Sequence, residues 1–179
     1  MEPTTVKPRR AKTPDEALAA LMRLCARAEK ASADARRLMH GWGLCAADAE
    51  RVLARLEADR FIDDRRYAAA FVREKLRLSG WGAYKIRTAL RRKQIARETI
   101  EAALAEALAA SDPDRLAERL DACLRRKARS LRAASPRELK TKLIRYGLSL
   151  GHDYEAVVSA AGRIVTTDND DTTCDDMLF

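Results

Sequence analysis

Three of the five prolines stand directly behind a residue that can cap a helix: Thr13-Pro14, Asp112-Pro113 and Ser135-Pro136. A Ser, Thr or Asp followed by proline at the first helical position is a helix-start signature. Thr13-Pro14-Asp15-Glu16 and Ser135-Pro136-Arg137-Glu138 also place a glutamate three residues after the cap, the spacing of a reciprocal capping box. Asp63, within Ile62-Asp63-Asp64, offers a fourth start. Between these marks the chain runs far without a breaker, with only 7 glycines and 5 prolines in 179 residues. Alanine, leucine, arginine and glutamate fill the intervals. All four are good helix formers, and β-branched residues are sparse. The pattern predicts an all-α protein.

Apolar spacing assigns the faces. Over 64–78, Tyr67, Phe71 and Leu78 form one stripe, and Ala68, Val72 and Leu76 form its neighbour. Arg66, Arg73 and Arg77 share another face, at i, i+7 and i+11. Over 83–93, Ala83, Ile86 and Leu90 point inward; over 97–109, Ile100, Leu104 and Leu108 do. The core is read as including Tyr67, Phe71, Ile86, Leu90, Ile100 and Leu104. Leu44, Ile95 and His152 occupy matching places after a basic or glycine-containing turn, at spacings of 51 and 57 residues. Longer helices lead each group, over 14–29, 64–78 and 113–131. The chain therefore divides into three tandem three-helix units, 14–59, 60–110 and 111–165, forming an elongated array that can curve. A unit of about 45 residues has a thin core, so stacking supplies much of the stability. Residues 1–13, a basic proline-containing arm, and 166–179, an acidic tail, are expected to be disordered.

The net charge is +8, and without the five aspartates of residues 166–179 the remainder is near +13. A basic body implies an anionic partner, which nucleic acid, an acidic protein face or an anionic membrane would each satisfy; solubility alone is the plainer explanation. Two sets of cations stand out. The first is Arg73, Arg77, Lys85, Arg87, Arg91, Arg92 and Lys93. The second is Arg125, Arg126, Lys127, Arg129, Arg132, Lys140, Lys142 and Arg145. They can contact phosphates along a strand or acidic faces of a protein filament, or simply line solvated helix faces. Trp42 and Trp81 each lie in Gly-Trp-Gly. A tryptophan beside basic residues can stack on a base, but more commonly plugs an interhelix turn, its glycines allowing positive φ. Asp63 and Asp64 read as a cap and a first-turn acid.

Nothing points to catalysis. His40 and His152 are the two histidines and lie far apart. No paired carboxylates in an apolar setting, metal-ligand spacing or phosphate-binding glycine loop is visible, so no enzyme activity, cofactor or metal is expected. None of Cys25, Cys45, Cys123 and Cys174 falls in a Cys-x-x-Cys pair, and three are read within apolar helical stripes. With no apolar leader or membrane-length apolar run, the expectation is a reduced, cytoplasmic protein.

One stretch carries a resemblance. Phe61-Ile62-Asp63-Asp64-Arg65-Arg66-Tyr67-Ala68, followed by Gly80-Trp81-Gly82-Ala83-Tyr84-Lys85-Ile86-Arg87-Thr88-Ala89-Leu90 and Arg91-Arg92-Lys93-Gln94-Ile95, resembles the RecX family. Its pattern is an Ile-Asp-Asp helix start, a glycine-containing turn and a basic helix ending in Leu-x-x-Lys-Gly-Ile. The segments from Ala17 to Leu56 and from Arg145 to Val157 are similar to its flanking units, so the resemblance covers residues 17–165. It implies a cytoplasmic, non-enzymatic modulator that binds the RecA recombinase filament on single-stranded DNA and limits its growth, ATP hydrolysis and strand exchange. The partners expected are that filament and, more weakly, single-stranded DNA, with duplex DNA a further candidate, no membrane, and the protein itself a monomer. The residues expected to meet filament or DNA are those the charge pattern marks: Arg73, Arg77, Trp81, Lys85, Arg87, Arg91, Arg92, Lys93, Arg125, Arg126, Lys127, Arg129, Lys140, Lys142 and Arg145. A free-standing helix-turn-helix DNA-binding protein and a helical scaffold for protein partners remain alternatives. Three positions depart from the pattern: Gln94 where glycine is common, Gly147 where leucine is usual, and His152 in place of phenylalanine. The last two predict a loosely packed third unit or a shifted final helix.

Overall fold

The computed structural model describes residues 11–170, with side chains through Thr166. The described residues form nine α-helices and no strand: α1 (Pro14–Cys25), α2 (Ser32–Gly41), α3 (Ala46–Ala58), α4 (Asp64–Arg77), α5 (Ala83–Arg92), α6 (Arg97–Ala109), α7 (Pro113–Ala128), α8 (Pro136–Ser149) and α9 (Tyr154–Asp170). Most of the arm read over 1–13 and of the tail read over 166–179 lies outside the described residues. Two edges of those stretches differ from expectation. Lys12 donates its N–H to the Trp42 carbonyl (3.0 Å), and its ammonium sits 4.8 Å from the Trp42 ring centre. At the other end α9 continues to Asp170, and the Thr166 hydroxyl bonds back to the Gly162 and Arg163 carbonyls.

The caps form as the sequence dictates. Thr13 and Glu16 exchange hydrogen bonds of 3.2 and 2.9 Å. Ser135 accepts the Glu138 N–H (3.2 Å), and the Glu138 carboxylate accepts the N–H of Ala134 (2.8 Å). Asp112 accepts the N–H of Asp114, and Asp63 accepts those of Arg65 and Arg66. These backbone donors, chiefly Arg66's, hold the Asp63 carboxyl below its ordinary range. Asp64 does something its position did not reveal. Helix α2 begins after Ala31, which has no capping side chain. Asp64 supplies the cap from α4, accepting the Ser32 N–H (2.8 Å) and hydroxyl (2.7 Å). The two adjacent aspartates therefore cap two different helices.

Contacts divide the described residues into two compact units, one holding those up to 68 with 91–99, the other 69–90 with those from 100 onward. In the first, α1 and α2 pack on α3 around Leu21, Met39, Val52, Leu53, Leu56 and Ile62. In the second, α7, α8 and α9 pack on one another around Leu120, Leu124, Leu143, Val157 and Ile164. Gly147 explains itself here: a Cβ on it would lie 2.6 Å from a Val157 methyl, so the α9 side chain fills the space a leucine would have taken.

In α4 the buried stripe is Ala68, Val72 and Leu76, not the neighbouring one. Tyr67 and Phe71 are half-buried, and Leu78 is 83% exposed. Leu108, expected inward, is 39% exposed. Ile86, Leu90, Ile100 and Leu104 are buried as expected. Of the cysteines, Cys123 is buried and Cys25 half-buried, but Cys45 is exposed at the N-cap of α3; Cys174 lies outside the described residues. The leading helices end sooner than read, because α1 stops at Cys25 and α7 at Ala128.

Candidate functional site

The turn before α5 is built from Gly80-Trp81-Gly82, and the groups that hold it belong to the second unit. Gly80 has a positive φ of 63°, which an L side chain rarely adopts. Gly82 is needed for a different reason. Its N–H donates to the Leu150 carbonyl (2.8 Å), and a Cβ on it would lie 2.2 Å from the Gly151 oxygen. The Tyr84 N–H donates to that same oxygen (3.1 Å). Gly151, at φ 82°, is equally confined, since its Cβ would lie 2.3 Å from the Lys85 nitrogen. His152 completes the joint, its Nε2 bonding the Gly80 carbonyl at 2.9 Å. The phenylalanine usual at that position could not make this bond. Two turns thus dock backbone to backbone and fix the start of the basic helix α5.

Trp81 is half-buried in this joint. The Phe71 ring meets it edge-on (6.2 Å between centres, 72° between planes), with the Lys85 ammonium 4.6 Å and the Lys75 ammonium 5.4 Å from its centre. These neighbours favour the turn-plugging role and give Trp81 a cationic rim.

The structure sorts the first basic set into engaged and available groups. Lys85 lies on Trp81. Arg87 forks onto the Glu101 carboxylate, its Nε at 2.9 and 3.1 Å and its Nη2 at 3.0 Å. That pairing raises the guanidinium further above its already high range and commits it to tying α5 to α6. Lys93 binds Asp34 at 2.7 Å, and Arg37 binds the same aspartate. Among the described residues, Arg73, Arg77, Arg91 and Arg92 make no ion pair and are exposed. Arg92 also lines a shallow hollow in the first unit with Arg36, Arg37 and His40, where Arg36 is held by Glu50.

The second set divides likewise. Lys142 binds Glu138 (2.7 Å) and the Arg132 carbonyl (2.6 Å). Lys127 lies over the Tyr146 ring at 5.4 Å, and Arg126 reaches the Cys123 sulfur at 3.6 Å. Arg125, Arg129, Lys140 and Arg145 make no ion pair among the described residues. Arg125 and Arg129 line a small hollow with Ala128 and Ile164. Two arginines missed in the sequence belong beside Arg73 and Arg77: Arg115 and Arg119 of α7 line the same cavity. They were overlooked because Asp114, Glu118 and Asp121 interleave with them, so the local charge sums to nearly nothing.

Among the described residues no group of three or more His, Cys, Asp or Glu side chains is arranged to hold a metal ion. None of the described helices is long and apolar enough to cross a membrane.

Residues 63–104 match the family model described as the second three-helix domain of RecX. A regulatory protein RecX from Shewanella oneidensis is 35% identical over 128 residues, which cover 64% of this chain and 96% of that protein. One from Thermus thermophilus is 41% identical over 93 residues, 51% of this chain and 63% of the relative. Among solved structures, a crystal structure of a regulatory protein RecX superposes with a TM-score of 0.71 at 22% identity, covering 80% of this chain and 70% of that one. The crystal structure of RecX from Lactobacillus salivarius gives 0.68 at 16% identity, covering 84% and 96%. An all-helical chain, a central segment matching the family's second domain and a relative matched over nearly its whole length make this protein a member of the RecX family of regulatory proteins.

Proposed function

We propose that this chain regulates homologous recombination by binding a RecA-type recombinase filament on single-stranded DNA and limiting its assembly, ATP hydrolysis and strand exchange. The observation that carries the reading is the set of exposed arginines without an ion pair among the described residues: Arg73, Arg77, Arg91, Arg92, Arg125, Arg129 and Arg145. A guanidinium that has no carboxylate of its own keeps its charge available for phosphate or for an acidic protein face. The protein acts by docking, without catalysis or cofactor, in the cytoplasm and as a monomer. The three-helix units read from the sequence are the scaffold; Lys93 flanks the arginines of the first unit, and Trp81, Lys85, Arg126, Lys127, Lys140 and Lys142 flank those of the second. Arg87 serves the scaffold.

The test titrates the protein into RecA hydrolysing ATP on single-stranded DNA. Hydrolysis should fall at substoichiometric amounts, and Arg91→Ala with Arg92→Ala should blunt the fall and flatten its salt dependence. Arg87→Ala should leave that salt dependence unchanged while costing up to about 1 kcal/mol of stability. Unchanged hydrolysis, with retardation of a defined duplex, would favour a free-standing DNA-binding protein.

A further inference from the structure

The second unit carries a groove that the family assignment leaves without an occupant. One cavity, of about 480 Å3, has Arg73 and Arg77 of α4 on one wall and Arg115 and Arg119 of α7 on the other, over alanine and leucine side chains of α4, α6 and α7. A second, of about 330 Å3, is lined mainly by apolar groups that include Leu108, Leu120 and Trp81. Leu76, Leu116 and Arg119 line both, so the two are one continuous groove with a cationic end and an apolar end.

Each arginine pair is spaced i, i+4, which sets the two side chains of a wall one helical turn apart. None of the four makes an ion pair among the described residues, so four like charges, offset in part by Glu106 and Asp112 in the same lining, stand over an apolar floor. A ligand placing carboxylates there relieves that repulsion through charge-assisted bonds. Glu106 and Asp112 also line the cationic end, and no aromatic ring does. A nucleic-acid strand would find no ring at that end on which to stack a base, and Trp81, at the other end, is already met edge-on by Phe71 and rimmed by Lys75 and Lys85. The apolar end exposes Leu108, which a peptide side chain can cover.

We propose that the α4–α6–α7 groove docks an acidic, apolar-faced segment of a partner protein. Arg73, Arg77, Arg115 and Arg119 take its carboxylates, and Leu76, Leu108 and Leu116 take its apolar side chains. This narrows the role of Arg73 and Arg77 from phosphate to protein, and it rests on the filament reading only for the identity of that partner.

The probe is a fluorescein-labelled amphipathic helical peptide with glutamates at i, i+4 beside a leucine face, followed by fluorescence anisotropy on the full chain. The peptide should bind. Arg73→Ala with Arg119→Ala, one from each wall, should weaken it about tenfold or more, equivalent to about 1.4 kcal/mol. Leu108→Ser should weaken it independently. Both variants alter exposed or half-buried groups, and unchanged far-UV circular dichroism confirms that they fold. Oligothymidylate affinity should be the same for wild type and the double arginine variant. Equal peptide binding by wild type and both variants overturns the proposal. So does an equal loss of oligothymidylate binding, which would make the groove a nucleic-acid site. Residues 171–179, which include Asp171, Asp175 and Asp176 before Met177-Leu178-Phe179, have the same chemistry. If deleting them tightens peptide binding about tenfold, the occupant is the chain itself and the partner proposal fails. Peptide binding with no effect on RecA hydrolysis would refute the filament reading and leave the groove standing.

Discussion

Replacing Gly82 with alanine should be among the most damaging single-methyl changes available to this chain. The added carbon would lie 2.2 Å from the Gly151 oxygen, 2.3 Å from the carbon bearing it and 2.4 Å from the His152 nitrogen. Ordinary contact needs about 3.4 Å or more, so the two turns must part by an ångström or so. All three atoms are backbone and cannot rotate away. Parting them breaks the bonds from the Gly82 N–H to Leu150 and from the Tyr84 N–H to Gly151. Each is worth about 1 kcal/mol when made, and each donor costs about 1–3 kcal/mol if it stays buried without a partner. The expected loss is about 3–5 kcal/mol, or roughly 10 °C in Tm for a chain of this length. Chemical denaturation followed by circular dichroism measures it, and amide exchange at Tyr84 should accelerate in parallel. Gly41→Ala is the control. A Cβ there meets nothing within 4 Å, so it should be neutral or stabilising by about 0.5–1 kcal/mol. A Gly82→Ala protein within about 1 kcal/mol of wild type would refute the claim that close backbone approach dictates this glycine.

Three further outcomes are expected. Asp64→Ala removes both acceptors that Ser32 uses and should cost about 2–3 kcal/mol, with faster exchange of the Ser32 amide as the local readout. Asp63→Ala should cost about 1 kcal/mol at neutral pH. Because folding lowers the Asp63 carboxyl, its contribution is present above the unfolded value near 3.9 and fades as pH falls through the folded one. Denaturation at neutral pH and below about pH 3 should therefore show the gap between wild type and variant closing. Gln94 has φ 58°, the left-handed conformation that glycine adopts without strain, and Gln94→Gly should raise stability by about 0.5–1 kcal/mol. Urea midpoints with an unchanged slope would report it.

The parts of the fold legible in the sequence were those governed by neighbours a few residues apart. Capping signatures located the starts of α1, α4, α7 and α8, because a cap and its helix are contiguous. The face of α4 was harder. Two stripes were equally apolar in pattern, and burial chose the one with the smaller side chains at Ala68 and Val72. The candidate surface was legible only as a density of cations. Which of them are neutralised depends on acids distant along the chain, such as Asp34, 59 residues from Lys93. Arg115 and Arg119 were invisible for the converse reason: acids close in sequence masked them, while their position in the groove sets them beside Arg73 and Arg77. Gln94 could be noted as a departure from a pattern but not as a strained residue, because strain is a property of the backbone it occupies.

The docked turns bear on how this molecule can be cut. In an array whose stability is a sum of repeats and nearest-neighbour interfaces, trimming the last repeat would leave the middle intact. Here a truncation before Leu150 would remove the carbonyls that receive Gly82 and Tyr84 and the imidazole that holds Gly80. The entry to α5, some seventy positions earlier in the chain, would lose its anchor. Shortening the protein from its C-terminal side should therefore loosen its centre, so the basic helix is only as well placed as the final third of the polypeptide allows.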